Sequence, residues 1–96
     1  MVIAVGNSSG GKISKFFFFR INDSRVMERE EINAVQTSLN DFCRQLISLE
    51  IDLLICDSLS KEWEQGIFES GINLIKGISG EADKILSAYL NGDLSF

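Results

Sequence analysis

Three short stretches hold residues whose types and spacing could do chemistry. The first is Gly6-Asn7-Ser8-Ser9-Gly10-Gly11-Lys12, which fits the front of a phosphate-binding pattern: a glycine, four residues, then Gly-Lys. Backbone N–H groups would wrap a phosphate there and Lys12 would supply charge. A magnesium-binding Ser or Thr should come next, yet Ile13 stands there and Ser14 comes one residue late. A helix should follow, and the strand-like FFFFRI follows instead. The alternative reading is a polar, glycine-rich strand connection over residues 7–15. The second stretch is Cys56-Asp57-Ser58, after an apolar run. At the carboxyl end of a central parallel strand it would sit where open α/β sheets bind ligands. A Cys56 thiolate there could hold a soft metal or an iron–sulfur species; otherwise Cys56 is a small buried apolar residue. The third is Gly77-Ile78-Ser79-Gly80, before a helix-like stretch. Its N–H groups could face an anion, or the glycines serve the turn while Ser79 or Gly80 caps the helix.

The rest of the composition narrows these choices. Ninety-six residues make one domain, 1–96, with 45% hydrophobic and 24% charged residues, as in ordinary globular chains. A net charge of −5 argues against nucleic acid as the main partner, which needs surplus Lys and Arg. No apolar stretch approaches the roughly 20 residues of a membrane span, and the N-terminus lacks the basic segment of a signal peptide. A cytoplasmic, reduced protein is expected, with free Cys43 and Cys56. Cys43 reads as core packing. The chain has no His, which excludes a Ser-His-Asp triad, a His-activated cysteine and His-ligated zinc. Glu28, Glu30, Glu31, Glu62 and Glu64 are spaced as solvated faces, not as paired catalytic carboxylates.

Apolar patterning predicts the elements that position the three stretches. Residues 2–5 (VIAV) form a short strand buried on both faces. Residues 16–21 (FFFFRI) form an aromatic strand with two rings on each side. All four rings are core if helices cover both faces; two make an interaction patch if one face is bare. The turn Asn22-Asp23-Ser24 leads into a charged, exposed edge strand over residues 25–31. Asn33 is a candidate helix N-cap with Gln36 as its reciprocal partner. Val35, Leu39, Phe42, Leu46 and Leu49 then make a one-faced helix. Asp52 opens the apolar run 53–56. Ser58 or Ser60 caps a second helix with the stripe Leu59, Trp63 and Ile67, Phe68 alongside, ended by Gly71. Residues 72–94 organise the remainder: a strand over 72–75, the Gly77–Gly80 turn, and a helix facing inward through Ala82, Ile85, Leu86 and Tyr89, stopped at Asn91-Gly92. The order β-β-β-α-β-α-β-α predicts an α/β fold: a five-stranded mixed sheet with helices packed on it, ending in a right-handed parallel βαβ unit.

The ending Leu74-Ile75-Lys76-Gly77, Ser79-Gly80, Ile85 and Tyr89-Leu90-Asn91-Gly92-Asp93-Leu94 resembles the terminal βα unit of the dinitrogenase iron–molybdenum cofactor biosynthesis family (NifX/NafY-like). Val2-Ile3-Ala4-Val5, the polar loop, Ile13-Ser14 and the aromatic strand are similar to its opening, and Asp52-Leu53-Leu54-Ile55 to its central strand. The resemblance implies a ribonuclease H-like fold and a role in carrying iron–sulfur or iron–molybdenum clusters. Two features depart from the family. A His-bearing segment that usually follows Ile-Ser is absent, since Lys15 runs straight into Phe16, and Cys56-Asp57-Ser58-Leu59-Ser60 replaces a glycine-rich loop. The fold name does not bring nuclease activity, because that chemistry needs an Asp on the first strand and residues 2–5 hold none.

The leading expectation is a non-enzymatic carrier of a metal cluster. Its site would comprise Asn7, Ser8, Ser9, Gly10, Gly11, Lys12, Asp57 and Ser58, with Cys56 as metal ligand. The alternatives are a ligand-free interaction module, meeting a protein partner or a second copy through the strand 25–31 and any bare phenylalanine, and a nucleotide-phosphate binder using residues 6–12.

Overall fold

The computed structural model describes residues 1–34 and 37–92. Eight elements follow in the expected order: β1 (Val2–Ser9), β2 (Lys12–Asn22), β3 (Arg25–Asn33), α1 (Leu39–Ser48), β4 (Leu53–Ile55), α2 (Lys61–Glu69), β5 (Asn73–Ile75) and α3 (Ala82–Leu90). They build one mixed sheet ordered β3-β2-β1-β4-β5. The first three strands pair antiparallel, whereas β4 lies parallel to both β1 and β5. This is the five-stranded mixed α/β sheet that the element order predicts, and it matches the ribonuclease H-like fold that the resemblance implies.

Strand alternation sorts the apolar side chains into two cores. On one face Val2, Ala4, Phe16, Phe18 and Leu54 pack with Phe42 and Leu46 of α1 and with Trp63 and Ile67 of α2. On the other, Ile3, Val5, Phe19, Leu53 and Ile55 pack with Ile85 and Leu86 of α3. Cover on both faces explains why β4 and the start of β1 are unbroken apolar runs. The phenylalanine run divides two and two, Phe16 and Phe18 toward α1 and α2, Phe17 and Phe19 toward α3. Phe42 links the first core, meeting Phe16 edge-on at 5.7 Å between centroids and Trp63 at 5.0 Å.

Several local expectations are corrected. Residues 7–15 are not a loop: β1 continues to Ser9, β2 begins at Lys12, and Gly10 (φ 62°) and Gly11 (φ 81°) form a two-residue hairpin turn. Two positive φ values at the tip match the twist of the flanking strands, and glycine adopts them without steric cost. The register then slips, with Ser8 opposite Ile13 but Asn7 opposite Lys15, so Ser14 bulges out. That extra residue lets Ile13 and Phe16, three apart, face the same core.

Asn33 does not cap a helix. It ends β3 opposite Lys15, and the ladder bonding takes precedence. α1 starts later, where Asp41 N–H donates to Ser38 Oγ at 3.2 Å. Val35 and Gln36 lie outside the described residues, as do Asp93 and Leu94. Ser60 caps α2 as expected, accepting from Trp63 N–H at 3.3 Å. Phe68, expected beside the α2 stripe, is 73% exposed, because one helical step of about 100° carries it off the face of Ile67. The N-cap of α3 is Glu81, with no side-chain cap bond, in place of Ser79 or Gly80. Gly71 (φ 80°) and Gly92 (φ 76°) follow the last turns of α2 and α3, as expected.

Candidate functional site

Parallel pairing brings the carboxyl ends of β1 and β4 to one edge of the sheet. Ser8, late on β1, meets the turn after β4 there. The Ser8 hydroxyl donates to Asp57 Oδ1, and Ser58 N–H donates to the same oxygen at 2.9 Å. Ser58 N–H and Ser58 Oγ each lie 3.4 Å from Ser8 Oγ. The Ser8 hydrogen bond is the main reason the Asp57 carboxyl is held below its ordinary 3.8; burial opposes it, and the Ser58 N–H adds to it. Asp57 is therefore an anion at neutral pH.

The Gly77–Gly80 turn is stitched onto this corner. Gly77 N–H donates to the Asp57 carbonyl at 2.7 Å, and Ile78 N–H to the Cys56 carbonyl at 3.1 Å. The result is a cleft of about 210 Å³ bordered by Asn7, Ser8, Asp57, Ser79, Gly80 and Ile85. It presents one carboxylate, three hydroxyls counting Ser58, and a glycine turn, which suits hydrogen-bonded capture of a small polar ligand.

Of the expected site residues, the structure brings Asn7, Ser8, Asp57 and Ser58 together. Ser9, Gly10, Gly11 and Lys12 belong to the hairpin tip, which docks elsewhere: the Gly11 carbonyl accepts from Ser60 N–H at 2.9 Å, at the start of α2. A phosphate loop requires free N–H groups between a strand and a helix, and this segment is a hairpin whose ends pair in a ladder. The nucleotide-phosphate reading of residues 6–12 thereby loses its geometry.

Cys56 shares the backbone of the corner but not its cleft. Its side chain is wholly buried in the core beneath α1 and α2, while the cleft borders α3. Burial, with a smaller contribution from Asp57, pushes the thiol up to about 12. Cys43 is buried in the same core, and both cysteines are free. Among the described residues no group of three or more His, Cys, Asp or Glu could hold a metal ion. A buried, protonated thiol without companions does not fit a thiolate-held iron–sulfur cluster.

Two features were missed in the sequence, one beside the cleft and one on the opposite face of the sheet. Arg29 of β3 reaches Asp83 of α3 with two bonds, 2.9 and 3.0 Å, and its guanidinium lies 4.6 Å from the centroid of the Phe17 ring. This clamp covers the one phenylalanine of the run that is not fully buried; its members are far apart in sequence and follow no periodicity. The other is a groove between α2 and β5, lined by Phe68, Ile72 and Leu74. The position of Phe68 on a helical wheel would have pointed to it.

Solved structures place the fold. PH0822 superposes with a TM-score of 0.83 at 15% identity, over 99% of this chain and 95% of that one. A Methanocaldococcus jannaschii protein described as a "putative dinitrogenase" gives 0.72 at 19% identity, over 99% and 92%. The fowlpox virus Holliday junction resolvase gives 0.53 at 16%, over 95% and 72%. What these proteins share with the chain is the fold. No family model and no curated protein matches the sequence. Relative to a nuclease, β1 (VIAVGNSS) carries no carboxylate beside Asp57.

Proposed function

We propose that the protein is a small, non-enzymatic carrier-type protein of the cytoplasm, akin to the iron–molybdenum cofactor (NifX/NafY-like) group. It takes its cargo at the carboxyl edge of β1 and β4. The observation that carries this reading is the convergence of Ser8, Asp57 and Ser58 with the Gly77–Gly80 turn at the sheet edge where α/β folds bind ligands. The fold shared with the M. jannaschii protein supports it.

The cargo class implied by the resemblance is an iron–sulfur or iron–molybdenum cluster. Because Cys56 stays in the core, the cargo is one assembled elsewhere and held by hydroxyl and backbone N–H groups. Anaerobic purification, metal and sulfide analysis and visible spectra test this, after incubation with free iron and sulfide and, separately, with extracted iron–molybdenum cofactor. Only the pre-assembled cofactor is expected to stay bound through gel filtration. Retention should fall in Ser8→Ala, which removes a hydroxyl of the site, and persist in Cys56→Ser. A cluster built from free iron and sulfide that vanishes in Cys56→Ser would reinstate Cys56 as ligand. Retention of neither would sink the carrier reading.

The second reading, a ligand-free interaction module, is favoured by the two sheet edges, β3 and β5, that no other strand pairs among the described residues.

A further inference from the structure

We propose that the β5 edge docks a second copy of this chain, two β5 strands pairing antiparallel about a two-fold axis at Leu74. In such a pair, side chains on the same face meet, and the residue on the axis lies opposite itself. β3 is poorly suited to this. An axis through Glu28, Arg29, Glu30 or Glu31 sets that charge against its own copy, and the strand is exposed almost throughout.

β5 is different. Asn73 N–H donates to the Asp52 carbonyl at 3.3 Å, and Cys56 N–H donates to the Ile75 carbonyl at 3.0 Å. Residues 73 and 75 thus direct their backbone groups toward β4. Backbone directions alternate along a strand, so Ile72, Leu74 and Lys76 direct theirs outward. With Leu74 on the axis, the two Leu74 residues exchange both backbone hydrogen bonds. Ile72 then lies opposite the second copy's Lys76, and Asn73 opposite its Ile75. No like charges meet.

The side chains complete the match. An open groove of about 1060 Å³ lies between α2 and β5, lined by Ile72 and Leu74, with Phe68 at one side. Phe68 is 73% exposed, a large ring left in water beside a strand whose outer edge no other strand pairs among the described residues. α2 runs opposite to β5, so Phe68 sits near Ile72. Lys61, Glu64 and Lys76 gather at the other end, where Lys76 Nζ bonds Glu64 Oε2 at 2.7 Å. A two-fold axis at Leu74 lays Phe68 of each copy on the Lys61–Glu64–Lys76 end of the other's groove, where the ammonium of Lys61, outside the Lys76–Glu64 pair, attracts an aromatic face. A ring at one end, a net positive cluster of two lysines and one glutamate at the other and an uncharged strand between them make the groove complementary to itself. That commits it to a second copy.

Sedimentation equilibrium of the full chain over a concentration series tests the proposal. The mass is expected to rise from one chain toward two. Phe68→Asp, at an exposed position, keeps the native circular dichroism spectrum and weakens dimerisation at least about tenfold. Lys76→Glu weakens it in the same direction and serves if Phe68→Asp fails to fold. Glu30→Lys, on β3, leaves it unchanged. A single-chain mass at every concentration overturns the proposal. So does a dimer insensitive to Phe68→Asp and Lys76→Glu, or one altered only by Glu30→Lys.

Discussion

The Cys56 thiol and the Asp57 carboxyl are neighbours in sequence and titrate in opposite directions. Burial pushes Cys56 from 9.0 to about 12. Between those values the native chain keeps a proton that the unfolded chain has lost, so this part of the stability is fully present below pH 9 and is lost as pH rises toward 12. Urea midpoints measured from pH 8 to 11 are expected to fall more steeply for the native sequence than for Cys56→Ala; equal slopes would contradict the burial. Asp57 has the opposite sign. Its depressed value stabilises the fold above pH 3.8 and the contribution disappears on acidification. Ser8→Ala removes the hydroxyl that is the largest cause, so a carbon NMR titration should show the Asp57 carboxyl moving back up toward 3.8. An unmoved value would mean that Ser8 does not hold it. Both residues were recognisable as candidates from their types and from the strand before them. Their division was not, because the chain turns just after β4 and only packing says which of two successive side chains enters the core and which borders the cleft.

At the scale of elements, the β1–β2 hairpin decides where the candidate loop goes. Gly10 and Gly11 both have positive φ, but a Cβ on Gly10 would meet nothing within 4 Å, whereas one on Gly11 would lie 3.0 Å from Ser60 N. Gly10→Ala therefore costs only the backbone strain, about 1 kcal/mol. Gly11→Ala adds a clash against a backbone atom at the start of α2, about 2–3 kcal/mol in all. Chemical denaturation of the two variants compares them, and equal losses would show that the tip is not docked on α2. Gly10-Gly11 was read within a glycine-rich strand connection, although such a pair between two strands also marks a two-residue hairpin. The polar residues around it concealed the strands, since the far ends of β1 and β2 are held by ladder bonds and a bulge, with little apolar patterning to show it. α1 started later than its cap chemistry suggested for the same reason: Asn33 had a ladder partner, Lys15, that no local pattern reveals.

At the scale of the molecule, the sheet has a protected centre and two unequal rims. β1 and β4 lie inside it with both faces covered, whereas β3 is an exposed edge. Hydrogen exchange is expected to be slowest at Ala4, Val5 and Leu54 and faster by orders of magnitude along β3, at Glu28 and Glu30. Uniform protection across the sheet would contradict this layering. The charges on β3 disfavour pairing at that rim, and the uncharged β5 rim beside Phe68 is where pairing with a second copy is proposed.

The order of the eight elements, the mixed sheet and the double-sided burial of its central strands were determined by the sequence alone, because apolar periodicity is a local property that each segment carries with it. The meeting of Ser8 with Asp57, the burial of the Cys56 thiol, the Arg29–Asp83 clamp and the groove beside Phe68 were decided by the tertiary structure. Each depends on strand register, a bulge or a helix rotation, and those are set by contacts between residues far apart in the chain.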